Sequence, residues 1–443
     1  MKQRSYKRCF ATILAATLSL SSILSLSGCS GSSENVEARD LLANLKSSNI
    51  QSQSDVELQS DTQPQSDIQS PSDVSRSGED AVMDFSVRLF QEKMEAGTNT
   101  LLSPLSVMYA LSMTANGAAN ETLSQMEAVL GLPVQELNEY LSAYQNSLIS
   151  EPKSRLQLAD AIWFRDSKDF QVRQEFLQAV ADHYDASIFQ APFDEQTLKD
   201  INAWVNEKTE EKIPRILSEI DGDAVMYLIN ALSFDAEWAD PYTEYNCYED
   251  VFTCEDGTDT DAVFMRSQEH QYLEDEHAAG FLKYYYNQNY AFAALLPKEG
   301  MTVEEYVSTL TGETLKNLLE QKQDVPVNAA LPKFETESST ELSDVLQKLG
   351  MTDLFSMTDA DLSGVGTSSN GPIYASKVIH KTFLALDEQG TKAAAASAVA
   401  LASGAAMPDP QEPKEVILNR PFLYLVIDCS EELPLFIGVA NRV

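Results

Sequence analysis

Four histidines, His183, His270, His277 and His380, are all the imidazole in 443 residues, and none sits in a pattern that pairs it with a nucleophile or a metal. The sequence contains no HExxH, no GxSxG, no P-loop and no complete GxGxxG, spacings that place catalytic groups where their chemistry needs them. Gly364-Val365-Gly366 starts as a dinucleotide loop does but runs into Thr367 and polar residues, so it reads as an ordinary loop. Asp359 and Asp361 have ligand chemistry, yet in so acidic a chain they read as solvated surface. The five cysteines form no CxxC pair, which speaks against zinc-ribbon and thioredoxin chemistry. Cys247 and Cys254 lie on a strand-turn-strand segment, where a disulfide and two free thiols both stay open. The expectation is a protein that is not an enzyme and uses no cofactor and no metal.

A different chemistry, that of a substrate, is written into Asp387-Glu388-Gln389-Gly390-Thr391-Lys392 and the run from Ala393 to Leu401. By propensity alone, Ala393, Ala394, Ala395 and Ala396 predict a helix. Read with the two-residue strand period, one face carries Thr391, Ala393, Ala395, Ser397, Val399 and Leu401, and the charge of Lys392 falls on the other. Such a segment can slide into a sheet with its small, uncharged face inward, pivoting where Gly390 frees the backbone. Beyond it, Pro408, Pro410 and Pro413 favour an exposed extended loop. A long loop of small residues between strands is what a protease can cut.

Elements able to hold such a loop surround it. Phe85, Leu89 and Phe90, then Val107, Leu111 and Met113 after Ser103-Pro104, then Met126 and Leu130 before Gly131 mark helices. Asp200 to Glu211 reads as an amphipathic helix with Ile201, Trp204, Val205 and Lys208 on one face. The runs 226–231, 292–296 and 422–427 read as strands of a sheet interior.

The N-terminus reads as an address. Lys2, Arg4, Lys7 and Arg8 precede an apolar run from Cys9 to Leu26 that ends in Leu26-Ser27-Gly28-Cys29; these are an n-region, an h-region and a cleavage site. The four residues resemble a bacterial lipobox, which implies loss of residues 1–28 and diacylglycerol on Cys29, an extracellular, membrane-anchored form. An uncleaved transmembrane anchor is the alternative. Residues 29–80 are rich in Ser, Gln and Asp and repeat Gln-Ser-Asp at Gln53, Gln59 and Gln65, a disordered tether with a reach of about 40 Å. A short helix around Ala38 to Leu45 is compatible with it. One folded unit, 81–443, follows. With 68 acidic against 31 basic side chains and a net charge of −37, a nucleic-acid partner is excluded, because phosphate contacts need clustered cations.

The hinge 387–391 followed by alanines resembles the inhibitory hinge of the serpins. It does not stand alone: Asn99 with Ser103-Pro104-Leu105-Ser106, Ile229-Asn230-Ala231 with Phe234 and Trp238, and Leu331-Pro332-Lys333-Phe334 resemble family signatures in family order. So do Ala360-Asp361-Leu362-Ser363-Gly364, Ser376-Lys377-Val378-Ile379-His380-Lys381, Asn419-Arg420-Pro421-Phe422 and Pro434-Leu435-Phe436-Ile437-Gly438.

The resemblance implies an α+β fold of three β-sheets and about nine helices with an exposed reactive-centre loop. It implies a monomer whose partners are serine proteases, trapped covalently when the cut loop inserts as a new strand. Glu388, Gly390, Thr391, Ala393, Ala394, Ala395, Ala396 and Ser397 would form the moving hinge. Ser103, Ser106, Asn230 and His380 match positions that gate the opening sheet, and Trp238 the tryptophan near its mouth. By itself His380 reads as a satisfied core histidine. The helix bearing Trp204 resembles the one that lies across the sheet. Family spacing from Glu388 implies cleavage between Gly404 and Ala405, with Ala405, Ala406 or Met407 as alternatives because this loop is longer than common ones. Residues 393–413 hold no Lys or Arg, so an elastase-like or subtilisin-like protease fits and a trypsin-like one does not. Lys392 departs from the acidic residue common at that position. The other reading is a non-inhibitory serpin-fold binding or surface-adhesion module, marked by bulky or charged hinge residues, which here are absent apart from Lys392.

Overall fold

Residues 38–43, 45, 71–168, 170–369, 371–391 and 412–443 are described by the structure, a computed structural model. Sheet A has seven strands: β1 (Arg39–Asp40), β3 (Ser154–Arg165), β5 (Ser187–Ala191), β6 (Met226–Glu237), β12 (Phe334–Glu341), β14 (Lys377–Leu386) and β15 (Gly390–Thr391). Their order is β1-β5-β3-β6-β15-β14-β12, and β6 also pairs β14 directly.

A nine-stranded sheet contains β2 (Thr100–Leu102), β7 (Cys247–Thr253), β8 (Asp259–Glu274), β9 (Ala278–Tyr284) and β10 (Tyr290–Pro297). It is completed by β11 (Gln323–Pro332), β16 (Lys414–Ile417), β17 (Phe422–Asp428) and β18 (Leu433–Ala440). β4 (Phe170–Val172) and β13 (Gly366–Ser368) make a third, small sheet. β10, β17 and β18 are buried from end to end, which is why their sequences are apolar without alternation. The three expected strand runs all lie within observed strands: 226–231 within Met226–Glu237, 292–296 within Tyr290–Pro297 and 422–427 within Phe422–Asp428.

Nine α-helices occur among the described residues: α1 (Pro71–Lys93), α2 (Pro104–Ala115), α3 (Asn120–Leu130), α4 (Val134–Ser147), α5 (Gln174–His183), α6 (Glu195–Lys208), α7 (Val303–Thr309), α8 (Gly312–Glu320) and α9 (Ser343–Leu349). α2 is buried along its whole length beneath sheet A. Pro104 starts it without cost, since the first turn needs no amide donor. α3 stops at Gly131, whose φ of 88° is left-handed. α6 begins five residues before the expected Asp200, because Asp194 accepts hydrogen bonds from the amides of Gln196 and Thr197 and caps it there.

Strand alternation splits sheet A between two cores. Leu228, Leu232 and Phe234 face the large core, while Tyr227, Ile229 and Ala231 meet Ile201 and Val205 of α6 in a smaller one. Trp204 is half-buried and stands edge-on to Phe189, which stacks on Trp163. Lys208 points to solvent.

Two stretches correct the expected tether over 29–80. α1 starts at Pro71 rather than at 81. Arg39 and Asp40 pair with Gln190 and Phe189 at the edge of sheet A, so an extended pair stands at the start of the stretch expected to be helical. The Leu41 amide donates to the Ile188 carbonyl at 2.8 Å, and the Leu42 side chain is fully buried. Serine-rich composition hides this because one apolar side chain and a few backbone bonds are enough to dock a short strand. Leu42→Ala should lower the melting midpoint by on the order of 5 °C, read by circular dichroism, as expected for a truncated core leucine; an unchanged midpoint would place Leu42 outside the core.

Candidate functional site

The site is a seam in sheet A. In its lower half β6 and β14 run parallel and pair from Tyr227 with Lys377 to Ser233 with Phe383. In its upper half β15 lies between them, Gly390 opposite Glu237, and Thr391 opposite Ala236 on one side and Leu386 on the other. The chain enters by a tight turn after β14, with the Asp387 side chain accepting from the Gln389 and Gly390 amides at 2.7 and 3.3 Å. Gly390 has φ 151°, and a Cβ there would lie 1.9 Å from the Ala236 carbonyl oxygen, so only glycine fits this approach.

Trp238 and Tyr285 hold the hinge from below. The Trp238 amide donates to the Gln389 carbonyl at 2.7 Å and its indole Nε1 to the Asp387 carbonyl at 3.0 Å. Tyr285 stacks on Trp238 with ring centroids 4.4 Å apart, and its hydroxyl meets Thr391 Oγ1 at 2.6 Å. Thr391 is buried, which puts its side chain on the inward face, as the strand alternation predicted. On the outer side Glu388 is ion-paired with Lys333, both half-buried. Deeper, Lys283 is buried against Tyr242 and Trp238 and paired with Glu269 at 3.0 Å.

The lower half is pinned by buried polar groups. His380 Nδ1 lies 2.5 Å from Asn230 Oδ1, and Ser106 Oγ donates to the same oxygen at 2.8 Å. The Ser103 amide donates to His380 Nε2 at 3.0 Å. Asn230 Nδ2 in turn donates to Asp160 Oδ1. The Ser103 hydroxyl has no hydrogen-bond partner among the described residues. Ser103, Ser106, Asn230 and His380 are thus brought together as one cluster, whereas Trp238 belongs to the hinge above it.

Asp160, Tyr285 and Tyr242 are site residues that sequence reasoning missed. Asp160 had a readable signal, a lone acid in the apolar run Leu158-Ala159-Asp160-Ala161-Ile162. Ala393, Ala394, Ala395, Ala396 and Ser397, the bond candidates Gly404, Ala405, Ala406 and Met407, and Cys29 lie outside the described residues. Cys247 and Cys254 are both free thiols, at the start of β7 and just beyond its end. Asp361 is engaged with Asn120 and the Ser363 amide, and no group of three metal-ligating side chains occurs among the described residues.

The family model for serpins, serine protease inhibitors, matches residues 80–442. The chain belongs to the serpin family. It is similar to the thermophilic serpin tengpin in its native state, with 41% identity and a TM-score of 0.81 over 92% of this chain and 100% of that one. Tengpin in its latent state is also similar, with 44% identity and a TM-score of 0.72 over 82% of this chain and 96% of that one. The plasma serine protease inhibitor of Bos taurus is 31% identical over 78% of this chain and 85% of its own length. The serpin fold expected from the sequence is therefore present, with three sheets and nine helices among the described residues. Membership points to protease inhibition rather than catalysis.

In this serpin, burial pushes the His380 imidazole down to about 3, because its charged form has no water. The unfolded chain therefore binds a proton that the folded one refuses, and stability contributed by neutral His380 is full above the ordinary imidazole range and lost as pH falls through it. An NMR titration should find His380 still neutral at about pH 4.5; an ordinary midpoint near 6.5 would contradict the buried cluster.

Proposed function

We propose that this serpin is an irreversible suicide-substrate inhibitor of serine proteases of elastase-like or subtilisin-like specificity. The observation that carries the reading is the hinge, seated between β6 and β14 up to Thr391 and followed in sequence by small residues. The protease serine attacks the Gly404 carbonyl, an ester forms, and the amine of Ala405 leaves with the C-terminal strands. The freed segment then extends β15 downward along the seam, unzipping β6 from β14 as it goes, and draws the acylated protease with it. About a dozen new ladder residues at a net ~0.5–1.5 kcal/mol per hydrogen bond yield on the order of 10 kcal/mol. That rivals the stability of a whole domain, so the uncut form is held kinetically.

The neutral inward side chains Thr391, Ala393, Ala395 and Ser397 support fast insertion, and the run without Lys or Arg supports a shallow apolar specificity pocket on the protease. Lys392, on the outward parity, stays in water. The lipobox reading completes the proposal: a monomer tethered through diacylglycerol on Cys29. No helix among the described residues is long and apolar enough to cross a membrane.

Incubation with elastase or subtilisin should give a detergent-resistant complex and second-order loss of protease activity. Nicked loop with full protease activity would refute inhibition, and equal melting midpoints before and after nicking would refute insertion. Thr391→Arg places a charge where a fully buried hydroxyl sits and should convert inhibitor to substrate; trapping as efficient as in the parent would show the parity to be wrong. Lys392→Glu should raise the fraction of cleavage events that end in complex, read by titration of protease against inhibitor, and no change would make the lysine neutral.

A further inference from the structure

The cluster under the seam has a direction. The Ser103 amide donates to His380 Nε2, so that nitrogen is bare and the proton of the neutral ring sits on Nδ1, donating to Asn230 Oδ1. Ser106 Oγ donates to the same oxygen. The amide of Asn230 is therefore oriented with Nδ2 away from the seam, toward Asp160 Oδ1. Asp160 terminates the chain of donors, and it is an acid with almost no exposure.

Among the described residues, no cation stands beside Asp160 to balance a negative charge. Across Asn230 stands neutral His380 of β14; from α2 comes Tyr109, and from the end of α5 Tyr184, both phenols held un-ionised by burial. Tyr184 donates to Asn138 of α4, an uncharged amide. Cations on and beside sheet A have other partners: Arg155 and Lys212 pair with Asp235, Lys381 with Glu337, Arg39 donates to Gln190, Arg165 to the Ala224 carbonyl, and Lys377 lies over the Tyr227 ring. An ionised Asp160 would be a buried anion with one amide donor.

We propose that Asp160 is a proton-operated latch on the seam: neutral while β6 and β14 are paired, and favouring their separation once it ionises. The proposal rests on the insertion reading above. Separation takes His380 away from Asn230 and lets water reach the amide that touches Asp160, and water stabilises the carboxylate far more than the acid. The size of the effect follows from desolvation, which pushes the carboxyl up to about 8 against the smaller downward pull of the Asn230 bond. The sign follows too: the closed protein holds a proton that an opened or unfolded one releases, so closed-state stability falls as pH rises from about 4 to about 8 and is level above that. His380 acts in the opposite sense, its contribution being lost as pH falls.

Asp160→Asn keeps an oxygen for Asn230 Nδ2 and removes the ionisation. Melting midpoints and rates of spontaneous conversion to the loop-inserted form should be measured on the full chain, parent and variant, from about pH 5.5 to about pH 8.5. Across that window conversion of the parent should accelerate relative to the variant by on the order of tenfold, with a falling relative midpoint. Parallel pH profiles would overturn the proposal. Carbon-13 NMR of the parent provides a test that does not depend on the variant folding: a carboxyl titrating near 8 is expected, and one near the ordinary value of about 4 overturns it. If nicking leaves the melting midpoint unchanged, the insertion reading fails, and the NMR titration still decides the protonation of Asp160.

Discussion

Everything in this molecule turns on one parallel pairing, β6 with β14, that is complete below and already displaced above by two residues of the hinge. A sheet saturated with hydrogen bonds has no room for another strand; under the proposed insertion, the parting of the two central strands at the top is where one would enter. What keeps the parting from running down the seam is polar and buried. Asn230 and His380 face one another across the two strands, and each is also bound to the segment leading into α2 or to α2 itself. Breaking that pair in a dry interior leaves polar groups unpaired, which costs about 1–3 kcal/mol for each group. Under the proposed insertion that cost would fall partway down the seam, after the first new ladder bonds have formed, because Asn230 and His380 lie at the middle of the β6–β14 pairing and the hinge ends at Ala236.

The hinge is seated with matched precision at the other end. Gly390 permits backbone contact with Ala236, Thr391 tucks its hydroxyl against Tyr285, and Trp238 holds the turn by both its amide and its indole. Each of these contacts is neutral. The charged pairs are Lys333, between β11 and β12, with Glu388 on the turn before β15, and Lys283 of β9 with Glu269 of β8. The small core under α6 combines the small Ala159, Ala161 and Ala231 with the bulkier Trp163, Tyr227 and Ile229.

Much of this was legible from local pattern. The buried central strands announced themselves as apolar runs, Gly131 and Pro104 marked helix ends, and the parity of Thr391 followed from a period of two. What local pattern could not reveal depends on neighbours distant in sequence. The start of α6 at Glu195 was missed because its cap, Asp194, looks like any other acid in a chain with 68 of them. Leu42 was missed because its composition reads as tether, while its burial depends on the edge of β5, well over a hundred residues away.

By itself the amino-acid order determined the alternation, the helix stops, the glycine at the pivot and the uncharged face of the hinge, since these are properties of adjacent residues and of backbone sterics. Only the folded chain decided that Asp160, Asn230, His380 and Ser106 share one hydrogen-bonded cluster, and that the hinge is seated as far as Thr391. Those facts depend on which strands lie side by side. Strand order in a sheet is fixed by long-range packing, and nothing in a residue's immediate neighbours encodes it.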